Sequence, residues 1–295
     1  MEIEKMNKRP IEMVSKNDLD SFERDGAVCL RDVFTADWLA AIETGMERNF
    51  KNPGKYAHYY ARNDGGKTYL NDVASWQRIP EYGRYVFESP AAEIAARLMH
   101  STKVNIFYDS AFYRTAGTTT PTPWHQDIPY WCIQGTQVCS VWMPIDPVPR
   151  ESALEFIRGS HRWQDIFYRP SFFSDDGTHT FESDSHARDT AEVQRSAAPD
   201  IDANRDSYDV LAWEMTPGDC LVFSGMVFHG GRGNHSPSHP LRALATRWAG
   251  DDATYALKPE GADPQLEGHG LVDGDPFGGE MFPVAWPRQE DAPKA

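Results

Sequence analysis

The sequence lacks the features that carry a chain into or across a membrane. No apolar run among its 295 residues approaches the roughly 20 residues of a membrane-spanning helix. The N-terminal stretch has neither an apolar core nor a secretory cleavage pattern. We therefore expect a cytoplasmic protein.

Cysteine is scarce, and no two cysteines form a Cys-x-x-Cys pair. The four present are Cys29, Cys132, Cys139 and Cys220. Apolar neighbours such as those of Val-Cys-Leu are typical of reduced, buried cysteines that act as small hydrophobic residues. The sequence thus predicts neither a zinc site nor a disulfide framework.

Positive charge is also in short supply. The chain has 29 Lys and Arg against 44 Asp and Glu, a formal net charge of −15. A field of this sign repels nucleic acid and anionic membranes, so neither is an expected partner. A small-molecule substrate is expected instead, and an anionic one would need a local cluster of Arg or Lys.

The order of periodic patterns predicts one domain over residues 1–295. Helical patterns occupy about 15–100, beginning with a capping box at Ser15 and Asp18, and β patterns dominate from Val104 onward. Helices and strands do not alternate beyond residue 100, which argues against a parallel α/β sheet. Many short strands with turn punctuation predict a mainly β fold with flanking helices, a cupin-like double-sheet jelly roll.

A polar, acidic insert at about 164–209 interrupts the β pattern. It begins with the aromatics Phe167, Tyr168, Phe172 and Phe173, and long inserts of this kind often form lids over binding sites. The alternative is a disordered surface excursion. The insert, or the Gly- and Pro-rich tail, could also supply a homodimer contact.

The most informative stretch is Thr122–Trp131, which contains His125-Gln126-Asp127. An imidazole and a carboxylate two positions apart point the same way from an extended backbone. With a second histidine they would form a 2-His-1-carboxylate triad, which binds Fe(II) on one face and leaves the other open. A His-x-Asp pair alone is a weak signal, since the same residues could simply end a half-buried strand.

His229 is the best candidate for the second histidine. It follows a predicted strand, and Gly230 and Gly231 after it allow a ligand or another backbone to approach closely. His161 is the rival, although a Ser-His turn more often satisfies backbone groups than it binds metal.

An arginine follows on the next predicted strand. Arg242 stands in an otherwise apolar segment, so an inward guanidinium would need an anionic partner such as a dicarboxylate co-substrate. A surface arginine or an ordinary salt bridge is the simpler interpretation of Arg242 taken alone. Arg247 has the opposite strand parity and is the second candidate.

Several motifs occur together in the order found in one protein family. They are Phe22–Gly26, Trp124-His125-Gln126-Asp127, Gly159-Ser160-His161, Pro217-Gly218-Asp219, His229-Gly230 with Asn234, and Arg242-Ala243-Leu244. In these motifs the chain resembles the phytanoyl-CoA dioxygenase family of Fe(II)- and 2-oxoglutarate-dependent oxygenases, which have a double-stranded β-helix. The resemblance implies iron bound by His125, Asp127 and His229.

The resemblance also implies the remaining site residues and the reaction. It implies that Arg242 binds the distal carboxylate of 2-oxoglutarate and that Gln126 contacts the co-substrate or the substrate. With O2, such an enzyme oxidises a C–H bond and releases succinate and CO2. Because a carboxylate, Asp127, stands where related halogenases have a small residue, we expect hydroxylation or another oxidation such as desaturation, and no halogenation.

The predicted pocket is lined by aromatic side chains. The candidates are Trp76, Tyr130, Trp131, Trp163, Phe172 and Phe173. No cluster of Arg and Lys indicates a coenzyme A binder, so a small or medium organic substrate is expected. Two alternatives remain at this point: a cupin-like metal enzyme that does not use 2-oxoglutarate, and a non-catalytic β-sandwich binding module.

Overall fold

The structure, a computed structural model, describes residue 7 and residues 13–62, 67–167, 195–258 and 261–288. Its helices lie on the N-terminal side of the chain, as predicted: α1 (Lys16–Asp25), α2 (Ala36–Lys51), α3 (Pro80–Glu88) and α4 (Ala91–Leu98). The predicted capping box begins α1, because the Ser15 hydroxyl accepts from the Asp18 N–H while the Asp18 carboxylate accepts from the Ser15 N–H. Gly26, at a φ of 82°, ends the same helix.

The strands follow a simple numbering in chain order. They are β1 (Ala27–Leu30), β2 (Ala57–Arg62), β3 (Thr68–Val73), β4 (Val104–Arg114), β5 (Thr122–His125), β6 (Ile133–Gln134), β7 (Val138–Pro144), β8 (Leu154–Ile157), β9 (Ile166–Phe167), β10 (Arg195–Ser196), β11 (Val210–Ala212), β12 (Cys220–Ser224), β13 (His229–Gly231), β14 (Leu241–Ala249), β15 (Thr254–Tyr255) and β16 (Val284–Trp286).

Two antiparallel sheets form the body of the fold. The larger has eight strands in the order β1-β12-β7-β14-β4-β3-β2, with β16 also paired to β4. The smaller has four strands in the order β11-β8-β13-β5. Side chains from both sheets line one cavity between them. This arrangement confirms the predicted double-sheet jelly roll.

The helices cover the outer face of the larger sheet. Trp38 and Ile42 of α2 are fully buried in one cluster with Leu244 and Trp248 of β14 and with Tyr85 of α3. Large side chains buried in this way contribute on the order of 1.5–3 kcal/mol each to folding. The larger sheet thus has one face on the helices and the other on the cavity.

A β-bulge in β4 decides which of its side chains face the cavity. Opposite β14, Trp248 pairs with Ile106 and Arg247 pairs with Tyr108, so Phe107 is the extra residue. Ile106 before the bulge packs in the helix-side cluster, whereas Tyr108 and Phe112 after it line the cavity. The side-chain alternation therefore reverses within a single strand.

Part of the fold was not predicted from the sequence. Helical patterns were expected over about 15–100, but this range also contains β2 and β3, whose alternation is blurred by polar residues such as Asn71 and Asp72, both buried in the structure. Of the insert predicted as a lid, residues 164–167 and 195–209 are described, while 168–194, including Tyr168, Phe172 and Phe173, lie outside the described residues. No helix of the described residues is long and apolar enough to span a membrane.

Candidate metal centre and its cavity

The predicted triad comes together between two neighbouring strands. His125 ends β5 and His229 begins β13, and the two residues are direct partners in the antiparallel register. Asp127 follows β5 immediately. One ligand atom from each of the three residues lies within 4.8 Å of the other two, and all three residues are buried. The His125 Nε2 and the Asp127 Oδ1 are 3.3 Å apart.

Backbone carbonyls fix the orientation of both imidazoles. The Nδ1 of His125 lies 2.8 Å from the Pro123 carbonyl oxygen, and the Nδ1 of His229 lies 3.0 Å from that of Val227. Because a carbonyl oxygen only accepts, each Nδ1 carries the proton and donates it. Each Nε2 is then left as the lone-pair nitrogen, the arrangement found for metal-binding histidines.

The charge states of the triad suit a divalent metal ion. Burial, reinforced by the nearby His125, lowers the pKa of His229 to about 4. Burial alone would raise the pKa of Asp127, but its close contacts with the imidazoles of His125 and His229 outweigh burial and leave that pKa lowered. At neutral pH the site therefore presents a neutral His229 imidazole and a carboxylate. Two imidazole nitrogens and one carboxylate oxygen are the donor set of a non-haem Fe(II) centre.

Aromatic rings surround the imidazoles. The Phe156 ring stacks on His229 at 5.7 Å between centroids, and the Phe223 ring lies 4.9 Å from it. Tyr130 meets His125 edge-on at 5.9 Å. These contacts hold the ring planes and keep bulk water away from one side of the site.

One cavity opens next to the triad. Its lining includes the aromatic residues Tyr60, Tyr69, Tyr108, Phe112, Tyr130, Trp131, Trp142 and Phe223. Of the side chains proposed from the sequence, Tyr130 and Trp131 line it. Trp76 and Trp163 do not, because Trp76 packs on Phe87 and Trp163 packs on Phe167 and Phe228.

Arg242 does not line this cavity, and the expectation that it meets the co-substrate there needs correction. It leaves β14 on the helix side, where its Nε and Nη2 donate to the Asp146 carboxylate at 2.9 and 2.7 Å. Its Nη1 lies 2.9 Å from the Glu43 carboxylate on α2. The register turns Leu241 inward and Arg242 outward, so Arg242 already has two anionic partners of its own.

Arg247 and Arg114 line the cavity instead. Arg247 donates to the Ala245 carbonyl at 3.2 Å, and its buried Nε has no hydrogen-bond partner in the described ranges of the chain. Arg114 donates to the Thr122 hydroxyl at 2.8 Å and to the Thr120 carbonyl. Within the part of the chain that the structure describes, neither guanidinium forms an ion pair with a carboxylate.

Arg114 was missed by the sequence analysis. The signal that could have found it is the alternation in β4, where Tyr108, Ser110, Phe112 and Arg114 all face the cavity. The Arg114 guanidinium lies flat over the Tyr69 ring, 3.6 Å from the ring centroid, which holds it in place.

Two other sequence-based candidates lie away from the cavity. The Gln126 side chain donates to the Asp165 carbonyl at 3.2 Å and accepts from the Phe167 N–H at 3.2 Å, so it fixes the start of the insert and does not line the cavity. This corrects its expected co-substrate contact. The Nε2 of His161 lies 3.1 Å from the Glu23 carbonyl, and His161 is not part of the metal-ligand cluster.

Comparison with known proteins adds the family. The family model for phytanoyl-CoA dioxygenase (PhyH) matches residues 22–243, which is most of the chain. The dioxygenase FrzG of Cladobotryum sp. is 35% identical over 82 residues, a match that spans 27% of this chain and only 26% of FrzG. The resemblance expected from the motifs is thereby confirmed.

Solved structures share the fold at low identity. The non-heme alpha ketoglutarate dependent carbocyclase SnoK from nogalamycin biosynthesis gives a TM-score of 0.70 at 20% identity, covering 92% of this chain and 97% of SnoK. The epimerase SnoN, in complex with Fe3+, alpha ketoglutarate and nogalamycin RO, gives 0.66 at 19% identity, covering 90% and 96%.

The family match and the triad agree on the cofactors. Fe(II), 2-oxoglutarate and O2 were predicted from the sequence, and the buried His-Asp-His cluster is a set of side chains that could hold the iron. The chain belongs to the phytanoyl-CoA dioxygenase family of non-haem iron, 2-oxoglutarate-dependent dioxygenases.

Proposed function

We propose that the protein hydroxylates a C–H bond of a small or medium organic molecule and releases succinate and CO2. The observation that carries this proposal is the buried triad of His125, Asp127 and His229 at a cavity that also contains two arginines with no carboxylate partner among the described residues. When Fe(II), 2-oxoglutarate and O2 are bound, they supply the oxidation, with one oxygen atom going to succinate and the other to the substrate.

The protein supplies placement and a dry site. The three ligands occupy one side of the metal position, and the rings of Phe156, Phe223 and Tyr130 hold the two imidazoles and exclude water there. Asp127 keeps a carboxylate at the third ligand position. This supports hydroxylation in preference to halogenation, which would need that position for a halide.

The distal carboxylate of 2-oxoglutarate is assigned to Arg114 together with Thr122. Thr122 lies three residues before His125 on β5, which places their α carbons about 10 Å apart. Bound 2-oxoglutarate would span roughly the same distance as these two α carbons. The span is the sum of a metal bond, the keto acid, a spacer of about 4 Å and a charge-assisted hydrogen bond of about 2.8 Å. Gly231 faces Thr122 across the strand pair and leaves room for the co-substrate.

Arg247 belongs to the other end of the cavity. In the pairing of β14 with β4, Arg247 is opposite Tyr108 and Leu241 is opposite Arg114. Six residues of β4 separate these positions, which corresponds to about 20 Å. Because Arg114, and not Arg247, donates to Thr122, the distal carboxylate of 2-oxoglutarate is assigned to Arg114.

The substrate site is proposed to be the aromatic part of the cavity. Tyr130 and Trp131, from the segment after Asp127, and Trp142, from β7, line the cavity, and a pocket of this kind favours an apolar or ring-containing body. SnoK and SnoN are named as a carbocyclase and an epimerase, so the fold itself does not decide between hydroxylation and another oxidation.

The test is an anaerobic titration of the apo-protein with Fe(II) and 2-oxoglutarate, observed through the visible charge-transfer band of the chelate. We expect the band in the wild type, its loss in His229→Ala, and a dissociation constant for 2-oxoglutarate raised about tenfold or more in Arg114→Met. Arg242→Met is the matched control and should leave that constant unchanged. Iron binding without the band would contradict the use of 2-oxoglutarate.

A second measurement covers the reaction itself. Succinate formation should require iron and O2, and a candidate substrate should be converted to a product heavier by one oxygen atom. A product that has lost two hydrogens, or has gained chlorine in the presence of chloride, would contradict hydroxylation while leaving the cofactor assignment in place.

A further inference from the structure

Arg247 is a buried cation that has no ion-pair partner and an unpaired Nε–H among the described residues. It is 7% exposed, its Nε has no hydrogen-bond partner, and its single hydrogen bond goes to the neutral Ala245 carbonyl. Among the described residues, no carboxylate lies within ion-pair distance of it. A buried charge of this kind is unfavourable unless an opposite charge reaches it. A bound anion would remove that unfavourable term.

The position of Arg247 separates it from the co-substrate. This step rests on the proposed function, in which Arg114 and Thr122 hold the distal carboxylate of 2-oxoglutarate. Arg247 pairs with Ser140 of β7, Ser140 pairs with Phe223 of β12, and the Phe223 ring lies 4.9 Å from His229, so Arg247 is on the part of the cavity wall next to the metal ligands. The charge of Arg247 therefore calls for an anion other than 2-oxoglutarate. The organic substrate is the other molecule that the cavity would bind.

We propose that Arg247 binds a carboxylate of the substrate, which makes the substrate class a carboxylic acid with an aromatic or extended apolar body. The guanidinium packs 4.9 Å from the Tyr108 ring and 5.9 Å from the Phe112 ring, so its orientation is set before the acid arrives. A planar guanidinium matches a carboxylate with two parallel hydrogen bonds. The acid group then lies near the triad, and the oxidised carbon is one close to the carboxylate.

An acidic residue near Arg247 makes it possible to distinguish an acidic substrate from a cationic one. Asp263 lines the cavity, and its carboxylate and Arg247 both act on Tyr60 and Tyr108. A substrate bound through a cationic nitrogen would use Asp263, whereas one bound through an acid would use Arg247. The two interpretations predict opposite effects of neutralising Asp263.

The experiment compares three probes of one shape: 3-phenylpropanoate, 3-phenylpropanamide and 3-phenylpropylamine. Each is titrated calorimetrically into the full-length protein, metal-free and also with Fe(II) and 2-oxoglutarate under anaerobic conditions. We expect the acid to bind about tenfold or more tightly than the amide. In Arg247→Met this preference should disappear, and in Arg247→Lys part of it should remain.

Matched variants separate this site from the co-substrate site. Asp263→Asn should leave acid binding unchanged or make it tighter, because a nearby negative charge is removed. Arg247→Met should change the dissociation constant of 2-oxoglutarate by less than about threefold, a change of well under 1 kcal/mol. Arg114→Met should have the opposite effect: it should weaken the binding of 2-oxoglutarate and leave the binding of 3-phenylpropanoate unchanged.

Several results would overturn the proposal. They are equal binding of acid and amide by the wild type, a preference for the amine that Asp263→Asn abolishes, and a loss of 2-oxoglutarate binding in Arg247→Met. Equal binding of acid and amide by the wild type overturns the proposal even if the Arg247 variants fail to fold. Failure of the proposed function has a different signature, the absence of the charge-transfer band, which is independent of the metal-free titrations.

Discussion

Asp109 should make the stability of this protein fall as pH rises. The residue is fully buried on β4, where its Oδ1 accepts from the N–H groups of Ser75 and Trp76, each at 2.8 Å. Its Oδ2 is also buried, and no described residue forms a hydrogen bond with it. Burial, with a smaller addition from Asp72, raises the pKa of Asp109 to about 7 despite the two N–H donors.

The sign of the effect follows from proton binding. Between about pH 4 and pH 7 the native protein keeps a proton on Asp109 that the unfolded chain has released, so the free energy of unfolding declines through this window. Each pH unit is worth about 1.4 kcal/mol, which makes the loss about 3 kcal/mol from pH 5 to pH 8. Asp109→Asn keeps the acceptor oxygen and the shape but has no such proton to lose.

The assay is urea unfolding of metal-free wild type and Asp109→Asn at pH 5 and pH 8. Titrations elsewhere in the chain cancel in the difference between the two proteins. We expect Asp109→Asn to gain about 3 kcal/mol relative to the wild type between the two pH values. A difference that stays constant with pH would show that the Asp109 carboxyl is ionised in the native state throughout, and would refute the reasoning.

Three further predictions concern stability and the iron site. Phe156→Ala removes the ring stacked on His229 and should lower the free energy of unfolding by about 3–5 kcal/mol in urea titrations, with weaker Fe(II) binding; unchanged iron affinity would show that the ring does not position the imidazole. Gly233→Ala, at a φ of 94° and with a new Cβ only 2.7 Å from the Thr119 carbonyl carbon, should lose about 1–3 kcal/mol, and a neutral result would place that loop differently. Ser15→Ala removes the cap of α1 and should lower thermal stability by about 1 kcal/mol, whereas Lys16→Ala on the exposed side should change it little.

The iron site was predictable because its signals are local. His125 and Asp127 are two residues apart, and His229 is marked by the strand and the glycines around it, so no knowledge of pairing was needed. The jelly roll followed for a similar reason, since turn punctuation and short strands depend on neighbouring residues only. The structure brings these three side chains together as the motifs implied.

The cation assignments failed because they depend on register. Whether Arg242 or Arg247 faces inward is set by how β14 pairs with β7 and β4, and a shift of one residue exchanges the two faces. The direction in which the Arg114 side chain points depends in addition on the bulge at Phe107. The periodicity of a single strand reveals neither its pairing partners nor its bulges. The sequence could therefore identify candidate arginines but could not predict which of them face the cavity.

The bulge at Phe107 also bears on how the family site can change over time. Every cavity-facing residue of β4 after this point owes its orientation to one extra residue. A deletion there would turn Tyr108, Phe112 and Arg114 toward the helices and bring buried polar groups such as Asp109 into the cavity. Substitutions can therefore change the cavity-facing side chains of β4 one at a time. An insertion or deletion at the bulge would instead replace all of them with the side chains of the opposite face. We expect the length of this strand to be far less variable among functional relatives than its composition.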